Sequence, residues 1–212
     1  MDHSVQNNST SGRPLEFDPE KAQDAIMRLF WAKGFLGVSL PDLQERTGLS
    51  RSSLYNSFGS KQEVFELALD RYRQAMGEQM CRPLEEGERG LADLLAFFDS
   101  AARMFTGQKK ETGCLMVNSM VEFGGADAAV AKHHAKHLER LRGAIGAALS
   151  RAVALGEIPT EGVEAKRDLV LSLVLGVTVA ARAGLGQANV TALIESVRTQ
   201  IRAWTASTAK RS

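Results

Sequence analysis

Hydroxyl and amide side chains are concentrated in one short segment, SRSSLYNSF at residues 50–58. Such side chains can donate to and accept from the edges of nucleic-acid bases, and the major groove of DNA admits one α-helix that carries them. The segment has a suitable spacing, because in a helix Leu54 and Phe58 lie together on one face. The polar residues that then project from the other face are Ser52, Tyr55 and Asn56.

Local signals at the ends of two short helices would position this segment. Ser39 and Asp42 have the spacing of a capping box that opens the first helix, and Gly48 interrupts it. Ser50 is a typical N-cap for the second helix, which Gly59 is expected to end as a left-handed C-cap. The pattern is that of a helix-turn-helix and favours DNA binding. Two short helices joined by a glycine turn also occur in proteins that never touch DNA.

The segment resembles the N-terminal signature of the TetR family (tetracycline-repressor-like transcriptional regulators). The residues that carry the resemblance are Gly48, Leu49, Ser50, Leu54, Tyr55, Phe58, Lys61 and Phe65. It extends over about residues 18–66 and implies an all-α protein. The implied domains are a flexible arm (1–16), a three-helix helix-turn-helix DNA-binding domain (17–62), a larger helical domain that binds an effector and dimerises (63–207), and a tail (208–212).

The resemblance also assigns roles to individual side chains. Tyr55 and Lys61 would contact phosphates, and Ser39 would lie on the DNA backbone at the start of its helix. The side chains expected to face the bases are Arg51, Ser52, Ser53 and Asn56. Many members carry an aromatic residue or His at the position of Asn56. Because Asn can bond adenine through two hydrogen bonds, this departure bears on which operator is read.

The function implied is that of a homodimeric repressor, released from a palindromic double-stranded DNA operator by a small-molecule effector. Two such helices would dock in successive major grooves, which requires half-sites about 34–36 Å apart or a multiple of that distance. The alternative is a helical protein-interaction scaffold without specific DNA binding. The sequence has no Ser/His/Asp order, glycine-rich phosphate loop or HExxH motif, so we expect neither an enzyme nor a cofactor.

Composition agrees with a globular protein of the cytoplasm. The chain has 212 residues, of which 44% are hydrophobic and 24% charged, which excludes disorder for most of it. Two cysteines do not make a disulfide framework, and a reducing cytoplasm is therefore expected. The N-terminal residues lack a basic segment followed by an apolar core, so they read as a flexible arm and not as a signal peptide.

The charge balance does not by itself indicate nucleic-acid binding, since the formal net charge is only +1. Over residues 1–60 the basic residues Arg13, Lys21, Arg28, Lys33, Arg46 and Arg51 are matched by the acidic residues Asp2, Glu16, Asp18, Glu20, Asp24, Asp42 and Glu45. Phosphates also bind hydroxyls, backbone amides and helix N-termini, so only the distribution on the docking face matters. We expect a modest salt dependence.

Helical spacing of apolar residues continues along the rest of the chain. It predicts helices over residues 19–33, 61–81, 91–105, 114–123, 127–155, 169–181 and 190–204. Arg82-Pro83 is expected to stop the helix that begins at Lys61, because proline has no N–H to donate. That helix would pack on the DNA-binding domain at one end and on the remaining helices at the other, an arrangement that can transmit movement.

The run LVLSLVLGVTVAA at residues 169–181 is apolar on almost all sides. It is too short for a membrane span and is bracketed by charged residues. A helix of this kind must be covered all round. The last helix would cover one side, and a second copy of the chain would cover the rest, with Gly176 and Ala180 permitting close approach. The resemblance implies a homodimer through the last two helices; burial of both inside a monomer is the alternative.

Candidates for an effector pocket follow residue 90. The run Gly113-Cys114-Leu115, followed by Val117-Asn118, resembles a branch of the family in which this region lines the pocket. Some regulators of this broad type sense electrophiles or oxidants through a cysteine. Cys114 would lie at a helix N-terminus, where the dipole lowers a thiol pKa, although a buried, inert cysteine is the alternative. The candidate pocket residues are Phe97, Phe98, Met104, Cys114, Val117, Asn118, Val121 and His134.

Three histidines lie close together in the helix predicted over 127–155. His133 and His137, four residues apart, have a spacing that can place two imidazoles on one metal. His134 lies nearest the apolar stripe, and the other two turn toward its polar flank. No carboxylate or cysteine lies at a matching spacing, so we expect solvated or locally hydrogen-bonded histidines and no metal site.

Overall fold

A computed structural model describes the backbone of residues 18–106 and 113–209 and the side chains of residues 18–105 and 113–205. The predicted arm (1–16) therefore lies outside the described residues. The described parts are helical, without a strand, which confirms the all-α class. The helices are α1 (Pro19–Lys33), α2 (Leu40–Thr47), α3 (Arg51–Phe58), α4 (Lys61–Met76), α5 (Arg82–Glu86), α6 (Leu91–Thr106), α7 (Leu115–Phe123), α8 (Ala128–Ala154), α9 (Val163–Arg182) and α10 (Gln187–Ala209).

The predicted caps of α2 and α3 form as expected, with one difference. Ser39 and Asp42 make the reciprocal capping box, and the Ser50 hydroxyl accepts the N–H of Ser53. Gly48 ends α2 in the left-handed region (φ 72°, ψ 8°). Gly59 also has a positive φ of 79°, but its ψ of −152° lies outside that region, so the prediction of a left-handed C-cap is wrong. Only glycine adopts such a backbone readily.

The helix that begins at Lys61 does not stop at Pro83. It passes from α4 into a π-helical turn (Gly77–Cys81) and continues as α5. The N–H of Arg82 bonds to the carbonyl of Gly77, five residues back, so the hydrogen-bond ladder is already displaced before Pro83 is reached. Pro83 then lies in the first turn of α5, where a missing N–H is tolerated. The prediction that Arg82-Pro83 stops the helix is therefore wrong.

One apolar cluster joins the N-terminal head, defined as α1–α3 with the first turns of α4, to α7. Its buried members from the head include Ile26, Phe30, Leu43, Leu54 and Phe65, and those from the segment around α7 include Cys114, Leu115, Met116 and Val117. The rings of Phe30 and Phe65 meet edge to face at 4.9 Å. The head thus shares its core with a helix that lies far away in the sequence.

A second apolar cluster fills the body, defined as α5–α10 with the last turns of α4. Helix α8 runs through it and packs on α4, α5, α6, α7 and α9, while α10 packs on α6 and α9. The inward face of α10 consists of Val190, Ile194, Val197, Ile201 and Trp204, whereas Leu193, which the helical spacing placed on the same face, is exposed. No helix among the described residues combines the length and the apolar character needed to cross a membrane.

Candidate nucleic-acid interface and effector cavity

The polar face of α3 is open to solvent. Leu54 is 2% exposed and packs into the head, with Phe58 half-buried beside it. Ser52, Tyr55 and Asn56 lie on the outer side, and Tyr55 is 43% exposed. The prediction that an apolar pair holds the helix from behind while polar side chains face outward is confirmed. Contact of those side chains with DNA stays a prediction.

Arg51 and Ser53 of α3 differ in their surroundings. The guanidinium carbon of Arg51 lies 5.6 Å from the centre of the Tyr55 ring, so an exposed cation and an exposed phenol adjoin each other. The hydroxyls of Ser53 and Ser52 lie 2.9 and 3.0 Å from that of Ser50, so both contact the N-cap. Ser53 is half-buried and Ser52 is exposed, which makes Ser52 the more accessible of the two.

The residues expected at phosphates already have partners inside the head. The Ser39 hydroxyl donates to the Asp42 carboxylate at 2.5 Å, and the Lys33 ammonium lies 2.5 Å from the same carboxylate. These contacts, with Lys33 the largest contribution, hold the pKa of Asp42 well below its usual range. The Lys61 ammonium lies 4.4 Å over the ring of Phe35. A phosphate would compete with these local partners.

Ion pairs neutralise part of the basic charge of the head. Lys21 pairs with Asp18, and Arg71 pairs with both Asp24 and Glu20. Within the described ranges, no acidic side chain pairs with Arg46 or Arg51, which lie at the end of α2 and the start of α3. The guanidinium groups of Arg46 and Arg51 therefore stay outside the ion pairs that other basic side chains of the head form.

A cavity of about 60 Å³ lies between α4, α6, α8 and α9. Its lining residues are Tyr72, Met76, Met80, Cys81, Phe97, Phe98, Ala101, Met104, Phe105, Cys114, His137, Leu141, Val174, Val177 and Thr178. The candidates brought together here are Phe97, Phe98, Met104 and Cys114. His137 was missed as a lining residue, although it precedes the buried Leu141 by one helical turn.

The other candidates lie away from this cavity. Val117 is buried in the cluster shared with the head, Asn118 is half-buried, and Val121 is 72% exposed. His134 is buried, with its Nε2 in a short hydrogen bond to the hydroxyl of Ser119. These four residues therefore do not line the cavity. Helix α7 presents its sides to the head, to α8 and to solvent, and only Cys114, which precedes its first turn, reaches the cavity.

Both cysteines are held as thiols. Burial raises the pKa of Cys114, and the neighbouring Tyr72 hydroxyl offsets only part of that effect. Burial likewise raises the pKa of Cys81 to about 11. The expectation that the helix dipole lowers the pKa of Cys114 is therefore wrong, since removal from water outweighs the dipole. The geometry favours the alternative of a packed cysteine.

The histidines of α8 have three different surroundings. Desolvation, with smaller contributions from His134 and Arg73, lowers the pKa of His137 to about 4, so its imidazole is neutral at pH 7. His133 Nδ1 lies 3.2 Å from Asp70 Oδ1. The expectation of a solvated or locally bonded histidine is thus wrong for His137. No three His, Cys, Asp or Glu side chains in the described parts are grouped so as to hold a metal ion.

Helices α9 and α10 present an apolar face to solvent. Leu169 and Val179 of α9 are 41% and 44% exposed, and Leu193 of α10 is 40% exposed. Gly176 lies between the two α9 residues and has no atom within 4 Å of the position a Cβ would take. The surface permits close approach of another helix.

Comparison with known protein families gives two matches. The family described as "Bacterial regulatory proteins, tetR family" matches residues 23–68. The family described as "Tetracyclin repressor-like, C-terminal domain" matches residues 90–193. The first match covers the head from within α1 to the middle of α4, and the second covers the body from the start of α6 into α10.

Individual relatives agree with these families. The HTH-type transcriptional repressor ComR of Escherichia coli (strain K12) is 30% identical over 196 residues, which are 91% of each chain. The HTH-type transcriptional repressor BdcR of the same organism is 30% identical over 126 residues, 58% of this chain and 64% of that one.

Solved structures share the fold. A cysteine mutant of the TetR family transcriptional regulator CifR, complexed with 26bp double-strand operator DNA, superposes with a TM-score of 0.75 at 24% identity over 91% of this chain and all of that one. A TetR family regulator from Cytophaga hutchinsonii gives a TM-score of 0.76 at 20% identity, covering 87% of this chain and 93% of that chain.

Proposed function

Because the chain belongs to the tetR family of bacterial regulatory proteins, we propose that it works as a homodimeric repressor that a small-molecule effector releases from a palindromic operator. It is a DNA-binding transcriptional regulator and not an enzyme. What we propose beyond this is the dimer, the symmetry of the operator, the residues that contact it and the release by an effector.

The exposed polar face of α3 is the observation that carries the proposal. Ser52 and Asn56 project from a short helix whose apolar side is buried, so the helix can enter the major groove without holding the backbone away. Asn56 would pair with adenine through its amide. Tyr55 and Lys61 would bind phosphates, with Ser39 and the N-terminal amides of α2 on the DNA backbone.

The apolar outer face of α9 and α10 supports the homodimer. Two copies packed through this face would form a four-helix interface with Gly176 at a point of close approach. A twofold dimer presents its α3 helices to successive major grooves about 34–36 Å apart, and its operator is then palindromic. Localisation in the cytoplasm, where operator DNA is accessible, belongs to the same proposal.

The cavity supports release by an effector. Its walls include the last turn of α4, whose first turns belong to the head, so occupation of the cavity can bias head separation. A ligand does this only to the extent that it binds one separation better than the other. A tenfold loss of operator affinity requires about 1.4 kcal/mol of that difference.

Selection of bound sequences from a random double-stranded DNA pool tests the function directly. We expect a palindrome, and we expect Asn56→Ala to change the preferred base at one symmetric pair of positions while retaining the palindrome. Arg103→Ala, on an exposed part of α6 far from α3, is the control and should select the wild-type sequence. A pool without enrichment would support the helical scaffold instead.

A further inference from the structure

The cavity also restricts the kind of effector, and this inference rests on the effector part of the proposed function. We propose that the site takes a compact, uncharged, largely apolar molecule that places a single hydrogen-bonding group against the imidazole of His137. Three features of the lining support this proposal: its charges, its free polar groups and its dimensions.

The described lining contains no charged side chain. Among residues 18–105 and 113–205, none of those that surround the cavity is Asp, Glu, Lys or Arg. An ion that entered would lose its hydration without gaining an opposite charge, and this is unfavourable in an apolar site. Carboxylic acids and amines in their ionised forms are therefore excluded as the preferred ligands.

His137 is the polar group that remains available to a ligand. The Thr178 hydroxyl donates to the carbonyls of Val174 and Leu175 within α9, and the Tyr72 hydroxyl lies against the Cys114 sulfur. The described residues supply the His137 ring with no hydrogen bond, while its neutral form offers one donor and one acceptor nitrogen. A hydroxyl or carbonyl group of the ligand can bond either one.

The dimensions require a small ligand and adjustable walls. The volume of about 60 Å³ is roughly twice the share of one water molecule in the liquid, and sites for drug-sized ligands reach about 300–1,000 Å³. Met76, Met80 and Met104 line the cavity, and their unbranched side chains can move aside at little strain. Aromatic walls from Phe97 and Phe98 suit a single ring.

Binding would be noncovalent. The raised pKa values of Cys81 and Cys114 keep both sulfurs protonated near neutral pH, which removes the thiolate that attacks an electrophile.

Met76 and Met80 lie at the end of α4 and in the π-helical turn, so the side chains displaced by a ligand belong to the helix that begins in the head.

Matched one-ring probes test the proposal on the full chain at pH 7. Benzyl alcohol, benzoate, benzylammonium and toluene are titrated separately by calorimetry. We expect benzyl alcohol to bind at least tenfold more tightly than either ion. His137→Phe should weaken benzyl alcohol at least tenfold and leave toluene unchanged, whereas His137→Gln should restore much of the loss.

His133→Gln is the control on the same helix, because His133 does not line the cavity. Preferential binding of either ion, equal binding of benzyl alcohol to His137→Phe, or no binding of benzyl alcohol would overturn the proposal. Operator selection is measured on the same samples. A palindrome without ligand binding rejects this inference alone, whereas ligand binding without sequence selection rejects the repressor function.

Discussion

The carboxylate of Glu122, near the end of α7, accepts the backbone N–H of Phe35 at 2.9 Å, in the turn that follows α1. Its second oxygen accepts the N–H of Leu36 at 2.7 Å. The next residue, Phe123, packs its ring on Phe35 and Phe65 at 5.1 and 5.5 Å. At the other end of α7, Gly113 accepts the indole N–H of Trp31 at 2.9 Å. Helix α7 is thus attached to the head at both ends.

Glu122→Ala should loosen this attachment. Two backbone amides lose a charged acceptor, and we expect the free energy of unfolding to fall by about 1–3 kcal/mol. Urea denaturation measures the loss, and operator affinity should fall as well because head orientation is less fixed. Glu139→Ala on the exposed side of α8 is the control and should change neither quantity. An unchanged denaturation midpoint for Glu122→Ala would show that the contact contributes nothing.

Gly34→Ala tests the same junction from the other side. Gly34 has a φ of 73°, and a Cβ at this position would lie 2.9 Å from the Glu122 carboxylate. With a ψ of 176° the residue lies in a region that is essentially restricted to glycine, so backbone strain alone predicts a loss of about 1–3 kcal/mol. Gly143→Ala is the matched control, since its added Cβ meets no atom within 4 Å, and helix propensity predicts a gain of up to about 1 kcal/mol. Similar changes in the free energy of unfolding for both variants would show that neither the backbone of Gly34 nor the Glu122 carboxylate restricts this position to glycine.

Acidification should destabilise the protein through His137. Its pKa is about 4 in the folded chain and near 6.5 when unfolded, so the unfolded chain binds the proton more tightly. This contribution is fully present above about pH 6.5 and is lost as pH falls toward 4, about 2 kcal/mol between pH 7 and pH 5. Urea denaturation at both pH values measures it. His137→Gln should reduce the difference by that amount, and an identical pH dependence would refute the assignment.

Lys61→Ala should weaken DNA binding without changing its sequence preference. A phosphate contact carries no base information, so affinity should fall by a similar factor on all sequences. The slope of log Kobs against log salt concentration should decrease in magnitude by about 1. Fluorescence anisotropy at several salt concentrations measures both. Arg103→Ala removes the same charge from α6 and should leave the slope as it was. A slope unchanged by Lys61→Ala would place this side chain away from the phosphates.

Val179→Asp should separate the dimer. The substitution places a charge in the proposed interface, and the dimer Kd should rise at least tenfold, or about 1.4 kcal/mol. Sedimentation velocity over a range of concentrations measures the change. Val121→Asp introduces the same charge at a residue that is 72% exposed on α7 and should leave the dimer intact. Equal dissociation of both variants, or of neither, would exclude this face as the interface.

Local features were predictable from the sequence, because the groups that determine them lie within a few residues of one another. Helix α2 begins at the capping box of Ser39 with Asp42 and ends at Gly48, and α3 begins after Ser50. None of these signals depends on the rest of the chain. The cavity depended on contacts between distant helices. Periodicity did not show which side of α7 meets the body, and for Cys114 it did not show that burial outweighs the helix dipole.

The apolar cluster shared by α1, α3, α4 and α7 has a consequence for evolution and for engineering. A gene fragment that encodes only the first three helices lacks the residues that complete their interior, such as Leu115 and Met116. Recombination between relatives at the end of the helix-turn-helix would pack the aromatic side chains of one parent's head against the α7 of the other parent. Chimeras that exchange operator specificity should therefore carry α7 along with the helices that read the DNA.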